Sequence, residues 1–174
     1  MFTLRDLPKY EALLALADRY PELEVPAVES CLTFLSTSAD LHRVLDEHFA
    51  QHNLSMGKFT VLMLLYKADR DLTPEEFLTP SDCATMAGVT KGTITGLLDG
   101  LERQQWVERR PHPADGRRTI IALTESGRSR LESILPHHFR LISQMTTHLS
   151  DTEMETLQGL LLKLRTGTLE ATER

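Results

Sequence analysis

The chain has 174 residues, 19 lysines and arginines against 25 aspartates and glutamates, and a formal net charge of −6. The length suits one compact protomer, and 41% hydrophobic residues exclude a disordered chain. The acidic average disfavours a general polyanion binder, yet residues 90–130 carry 8 basic and 5 acidic side chains, against 7 and 14 before them and 4 and 6 after. That basic island is either a solvated face or the footprint of a phosphate-backbone contact.

From the start of the chain, residues 3–18 have helical spacing through Leu7, Leu13, Leu14, Leu16 and Ala17, and stop at Pro21. Arg5, Asp6, Lys9 and Glu11 interrupt any secretory pattern. A long helix is expected over 26–52, with an apolar stripe through Val28, Cys31, Leu32, Leu35, Leu41, Val44, Leu45 and Phe49. Ser55 caps the next helix, 56–68, which is apolar on most sides and therefore central. Its apolar run, 59–66, is far short of the roughly 20 residues a bilayer span needs. Thr73-Pro74-Glu75-Glu76 and Thr79-Pro80-Ser81-Asp82 both read as helix starts with proline at the first position. The second opens a short helix that ends at Gly88, a left-handed C-terminal position.

Thr90 caps another helix, with Ile94, Leu97, Leu98 and Leu101 spaced as one inward face. Two helices around a glycine turn form a helix-turn-helix signature. Residues 106–110 and 119–123 then read as a hairpin with Asp115-Gly116 at its tip, a wing. Thr124 caps a long helix, about 125–148, that contains Pro136, a kink position. Ser150 and Glu153 form a capping box for a last helix, about 151–166.

The motifs Leu78-Thr79-Pro80-Ser81-Asp82-Cys83-Ala84, Val89-Thr90-Lys91-Gly92-Thr93-Ile94-Thr95, Leu101-Glu102, Trp106-Val107-Glu108-Arg109-Arg110, Asp115-Gly116-Arg117-Arg118 and Leu123-Thr124-Glu125-Ser126-Gly127 follow in that order. In that order and spacing the chain resembles the MarR family of bacterial transcription regulators, over roughly residues 28–166. The N-terminal extension and the Ile134-Leu135-Pro136 segment make it most similar to the EmrR-type multidrug-efflux repressors. The resemblance implies a mainly α fold. Residues 1–54 would form an N-terminal extension and first dimerisation helix, 55–124 a winged helix-turn-helix lobe with a small β-hairpin wing, and 125–174 the C-terminal dimerisation helices. It also implies a cytoplasmic homodimeric repressor that binds a pseudo-palindromic operator and is released by a small aromatic or phenolic effector. No catalytic residue, cofactor, metal or membrane partner is expected, and no enzyme motif is present.

With the apolar face inward, Thr90, Lys91, Thr93 and Thr95 face outward, suited to base edges, thymine methyls and phosphate. Gly92, Gly96 and Gly100 form a stripe expected to bring the helix backbone close to the groove. Family members often carry a long polar residue near position 96, so direct arginine readout does not carry over. The wing holds Arg109, Arg110, Arg117 and Arg118. By resemblance Arg117 or Arg118 enters the minor groove, Arg110 is a further DNA-binding residue of the wing, and Asp115 is a structural acid that fixes the turn or holds an arginine. The effector site implied by the resemblance comprises His42, Asp46, Phe59, Met63 and Tyr66, although such a stripe is also what plain core looks like.

Two alternatives stay open. One is a redox sensor of the same family using Cys31 or Cys83, although both thiols read as buried structural cysteines. The other is a helical interaction module that binds no DNA. His48 and His52 have ligand-compatible spacing but no evident third partner, and Cys31 and His42 lie about 16 Å apart along one helix, too far to share an ion.

Overall fold

The computed structural model describes residues 10–71 and 77–172. The Thr73–Glu76 helix start and the beginning of the first expected helix lie outside them. The chain divides into two compact units, Met1–Thr124 and Glu125–Arg174.

In the first unit, α1 (Tyr10–Ala17) precedes α2 (Val25–Ala50), α3 (Met56–Asp71), α4 (Pro80–Ala87) and α5 (Lys91–Arg103). Strands β1 (Val107–Pro111) and β2 (Thr119–Leu123) close it. Helix α2 starts where Pro26 occupies its first turn, as its missing N–H would be unpaired there anyway. Three residues past its end, Asn53 takes a left-handed φ of 57°, a conformation asparagine tolerates better than most residues. Leu54 then turns inward, its N–H bonded to the Phe49 carbonyl at 3.0 Å.

Helix α3 begins at Ser55, whose hydroxyl accepts the Lys58 N–H at 3.3 Å. Its Phe59, Val61, Leu62 and Leu65 are buried, as its apolar composition requires. The Phe49 and Phe59 rings stack at 4.5 Å and fix α2 against α3. Cys83 and Ala84 of α4, Ile94, Leu98 and Leu101 of α5, and Val107, Ile120 and Ile121 of the hairpin are all buried in this unit. Leu97 is half-buried and packs beside Gly57 of α3.

Helix α5 ends in a way its sequence does not advertise. Gln105 takes a left-handed φ of 59°. The Gln105 N–H bonds Glu102 O at 2.9 Å, and the Trp106 N–H bonds Leu101 O at 3.0 Å. This is the hydrogen-bond pattern of a Schellman motif, which normally uses glycine at the left-handed position.

The second unit contains α6 (Glu125–Met145) and α7 (Asp151–Thr172). Helix α6 runs through Pro136 without interruption and buries Gly127, Leu131 and Ile134. Ser150 and Glu153 form the expected capping box. The Glu153 carboxylate accepts the Ser150 N–H at 2.8 Å, and the Glu153 N–H reaches the Ser150 hydroxyl at 3.4 Å. Helix α7 continues six residues past the expected end at 166, running through Gly167 to Thr172 with no proline to stop it. Among the described residues, no helix is long and apolar enough to cross a membrane.

Candidate nucleic-acid interface

Helices α4 and α5 are positioned by their caps. The Thr79 hydroxyl and N–H both bond the Asp82 carboxylate, at 2.6 and 2.8 Å, and the Asp82 N–H returns to the Thr79 hydroxyl at 3.3 Å. Those hydrogen bonds hold the Asp82 carboxyl below the ordinary carboxylate range, and the charge of Arg118 pushes the same way. Gly88 takes a φ of 65° after α4, where a side chain would be strained. The chain then extends through Thr90, which caps α5 by accepting the Thr93 N–H at 3.2 Å.

The outward residues of α5 lie where the spacing puts them, but their hydroxyls are engaged. The Thr90 and Thr93 hydroxyls share a hydrogen bond of 2.9 Å, and Thr95 donates to the Lys91 carbonyl at 2.8 Å. What they offer outward is therefore a row of methyl groups and spare acceptor lone pairs. Lys91 is exposed and makes no ion pair among the described residues.

The expected glycine stripe is corrected by the structure. A Cβ at Gly96 would meet nothing within 4 Å, and one at Gly92 only the Thr90 hydroxyl at 3.9 Å. Gly100 instead is buried, and a Cβ there would sit 2.9 Å from Cε of Lys58. The Lys58 ammonium crosses it to donate to Gln104 at 3.0 Å, and Gln104 donates on to the Asn53 carbonyl at 3.2 Å. Gly100 thus serves the contact of α3 with α5, and the open stripe shrinks to Gly92 and Gly96.

The strands pair antiparallel, with Val107 opposite Leu123 and Pro111 opposite Thr119. Beyond its own ladder the hairpin is tied to the segment before α4, since the Ile121 N–H donates to Leu78 O at 2.8 Å. The four wing arginines divide into two kinds. Arg109 bonds Asp99 at 2.6 Å and also pairs with Glu102, so both carboxylates of α5 hold it. The Asp99 hydrogen bond raises the already high pKa of Arg109 further. Arg110 pairs with Glu108 of its own strand. Arg117 and Arg118 are exposed at the turn and make no ion pair among the described residues. Counting Arg109 as free wing charge is thus corrected, because the neighbouring acids on α5 neutralise it. Asp115 accepts the Arg117 N–H at 3.1 Å, the turn-fixing role.

The residues expected to hold an effector differ in exposure. His42 and Asp46 are exposed on α2, and His42 Nδ1 lies 2.7 Å from the Ser38 carbonyl one turn back. Phe59 is buried on Phe49 and is a core residue, while Met63 and Tyr66 are half-buried. The two cysteines differ, against the expectation that both are buried. Cys31 is exposed, because the first turns of α2 leave that face uncovered. Cys83 is fully buried, and burial pushes its thiol up to about 11. His48 and His52 stack edge-on at 5.2 Å. No group of three potential metal ligands exists among the described residues.

Two helices around a left-handed glycine, followed by a basic hairpin bonded back to them, define a winged helix-turn-helix, the module of a DNA-binding transcriptional regulator. Comparison with known proteins places it more closely. The MarR family model matches residues 54–119. The chain is 40% identical over 152 residues to the HTH-type transcriptional repressor YetL of Bacillus subtilis, covering 87% of this chain and 88% of that one. It is 30% identical to the multiple antibiotic resistance protein MarR of Escherichia coli, over 70% of this chain and 81% of that one. The structure of Staphylococcus aureus MepR in complex with DNA superposes with a TM-score of 0.68 at 25% identity, covering 79% of this chain and 95% of that one. The chain belongs to the MarR family, whose members are transcriptional regulators and not enzymes.

Two contributors to the interface carried no sequence signal strong enough to single them out. One is Gln105, whose left-handed turn sets where the wing begins. The other is His112, whose ring organises the wing tip.

Proposed function

We propose that the chain is a homodimeric repressor that reads a pseudo-palindromic operator and is released by a small aromatic or phenolic compound. The observation that carries DNA reading is the division of charge in the first unit. Helix α5 turns Ile94, Leu98 and Leu101 inward and Lys91, Thr93 and Thr95 outward, while the wing leaves Arg117 and Arg118 without an ion pair among the described residues. Lysine and threonine suit the major groove, and arginine suits a narrow minor groove. The complex of MepR with DNA is a precedent for such use of this fold.

Dimerisation is supported by apolar side chains that one copy leaves uncovered. Helix α7 has 22 residues and buries none of them. Its Leu160, Leu162 and Leu169 are each more than half exposed. Leu14 and Leu16 of α1 and Phe34 and Leu35 of α2 are exposed as well. Monomeric proteins rarely leave such stretches open to water. Under this reading 1–54 and 125–174 are dimerisation segments, 55–124 is the reading lobe, and the protein works in the cytoplasm. The effector would lie between α2 and α3, where Met63 and Tyr66 are partly accessible, with His42 and Asp46 supplying polar contacts.

Binding of labelled DNA from upstream of its own coding sequence, followed by anisotropy, tests the reading, with sedimentation reporting the assembly. Specific binding by a dimer is expected, as is release by salicylate-like or phenolic compounds that also shift the melting temperature. A monomer, or binding that unrelated DNA displaces equally well, refutes it. Exposure of Cys31 favours one second reading, oxidative release through that thiol. Peroxide that leaves DNA binding of the wild type and of Cys31→Ser equal excludes it.

A further inference from the structure

The tip of the wing is short, exposed and rich in backbone donors, yet almost every one of them is used. The His112 N–H donates to Arg118 O at 2.9 Å, and the Arg118 N–H donates to Asp115 O at 2.9 Å. The Arg117 N–H goes to the Asp115 carboxylate. The Ala114 and Asp115 N–H groups both point at one atom, Nδ1 of His112, at 3.1 and 3.3 Å. The Asp115 N–H is shared with the His112 carbonyl at 3.2 Å. Pro113 has no N–H to offer.

An imidazole nitrogen can accept these two hydrogen bonds only if it carries no proton, which places the ring proton on Nε2. The plane of the ring is set from outside the hairpin. Phe77 meets it edge-on, with centroids 5.7 Å apart and planes at 85°. Phe77 directly precedes Leu78, the residue that accepts the Ile121 N–H. One short segment thus holds both the strand and the ring that organises the turn.

We infer that His112 is a positioning residue for DNA binding: its Nδ1 gathers the Ala114 and Asp115 amides and so aims Arg117 and Arg118 at the duplex. It does not touch DNA in this role. Without that acceptor two amides turn to water, and the tip samples many conformations before each encounter. The arginines must then be ordered at the moment of binding, which lowers affinity. The inference rests on the reading that these arginines contact DNA.

The geometry supplies a discriminating pair of substitutions. Asparagine carries its acceptor oxygen on Cγ, where histidine carries Nδ1, and caps turns in this way readily. Glutamine carries its acceptor one carbon further out. Full-length wild type, His112→Asn, His112→Gln, His112→Ala and an Arg117→Ala/Arg118→Ala double variant would be titrated with one duplex, selected by the wild type from a random pool, at several salt concentrations. His112→Asn should bind within about twofold of wild type. His112→Gln and His112→Ala should bind about tenfold more weakly, the scale of one or two net hydrogen bonds, with melting temperatures lowered by no more than about 2–6 °C, so that both variants remain folded during the titration. Their salt slopes should fall toward that of the arginine double variant. Nitrogen-15 spectra of the wild-type histidines should show Nδ1 of His112 unprotonated, whatever the variants do.

If Gln and Ala bind like wild type while the arginine double variant binds weakly, the role of His112 is overturned and the wing reading stands. If Asn is as weak as Ala, or if the proton sits on Nδ1, the acceptor argument is wrong. If the arginine double variant binds like wild type, the wing reading fails and takes this inference with it.

Discussion

Gly96 and Gly100 look alike in sequence, four residues apart on one helix, and the structure makes opposite demands of them. Alanine at Gly96 gains helix propensity of about 0.5–1 kcal/mol. Its Cβ meets nothing within 4 Å, so the gain should appear in full, as a rise of about 1–4 °C in melting temperature for a chain of this size. Alanine at Gly100 has the same propensity gain, but its Cβ would lie 2.9 Å from Cε and 3.2 Å from Nζ of Lys58. The lysine end is flexible and can move, but moving it breaks the bond to Gln104. A half-buried hydrogen bond contributes about 0.5–1.5 kcal/mol, which offsets the gain. Gly100→Ala should therefore leave stability within about 0.5 kcal/mol of wild type, the difference of these two terms. The pair Gly100→Ala and Lys58→Ala closes the test as a double-mutant cycle, read by urea denaturation at one fixed protein concentration. In the Lys58→Ala background the gain at Gly100 should return, giving a coupling of about 1 kcal/mol. If Gly100→Ala stabilises as much as Gly96→Ala in both backgrounds, the contact with Lys58 carries no weight. DNA titration of Gly96→Ala asks a separate question: a loss of affinity together with higher stability would show that the helix backbone approaches the groove there.

Arg109→Gln should weaken DNA binding while leaving its salt slope unchanged, because Asp99 and Glu102 already neutralise that charge; a slope lower by about one would instead place Arg109 on a phosphate. Gln105→Gly should raise stability by about 1 kcal/mol, since a left-handed φ strains any residue with a Cβ; an unchanged urea midpoint contradicts this. Thr79→Ala should cost about 1 kcal/mol of helix capping, measured by urea denaturation at neutral pH. The Asp82 carboxyl has a lowered folded pKa, so its contribution is present above the unfolded value of about 4 and fades as pH falls through the folded one. The gap in stability between wild type and Asp82→Asn should accordingly narrow in acid, and a gap that widens would reverse the assignment.

Much of the layout was legible because helix ends are local events. Thr79 with Asp82, Gly88, Thr90, and Ser150 with Glu153 each announce a boundary within four residues of themselves, and the inward face of α5 follows from spacing alone. What stayed hidden depends on distant neighbours or on a residue in an unusual role. Nothing near Gly100 in sequence points to Lys58, 42 positions earlier. The charge of Arg109 looks available until α5 lays Asp99 and Glu102 beside it. Gln105 ends its helix where glycine would have signalled the turn. Cys31 has helical neighbours of apolar character, yet its own face is uncovered. The effector residues were grouped by resemblance, and only the fold separates the core ring Phe59 from the exposed His42 and Asp46.

Gln105 and Thr124 close a ring in space. The Thr124 hydroxyl donates to Gln105 O at 2.7 Å, and the Thr124 N–H donates to Trp106 O at 3.1 Å. The chain thus leaves and returns at one stitched point, with Leu78 as a further anchor. A stretch bounded in that way behaves as a cassette. Its length and tip chemistry can change by insertion, deletion or exchange with that of a relative while the stitch keeps both ends in register. Variation in wing reach among such regulators then needs no compensating change in the helices that carry it.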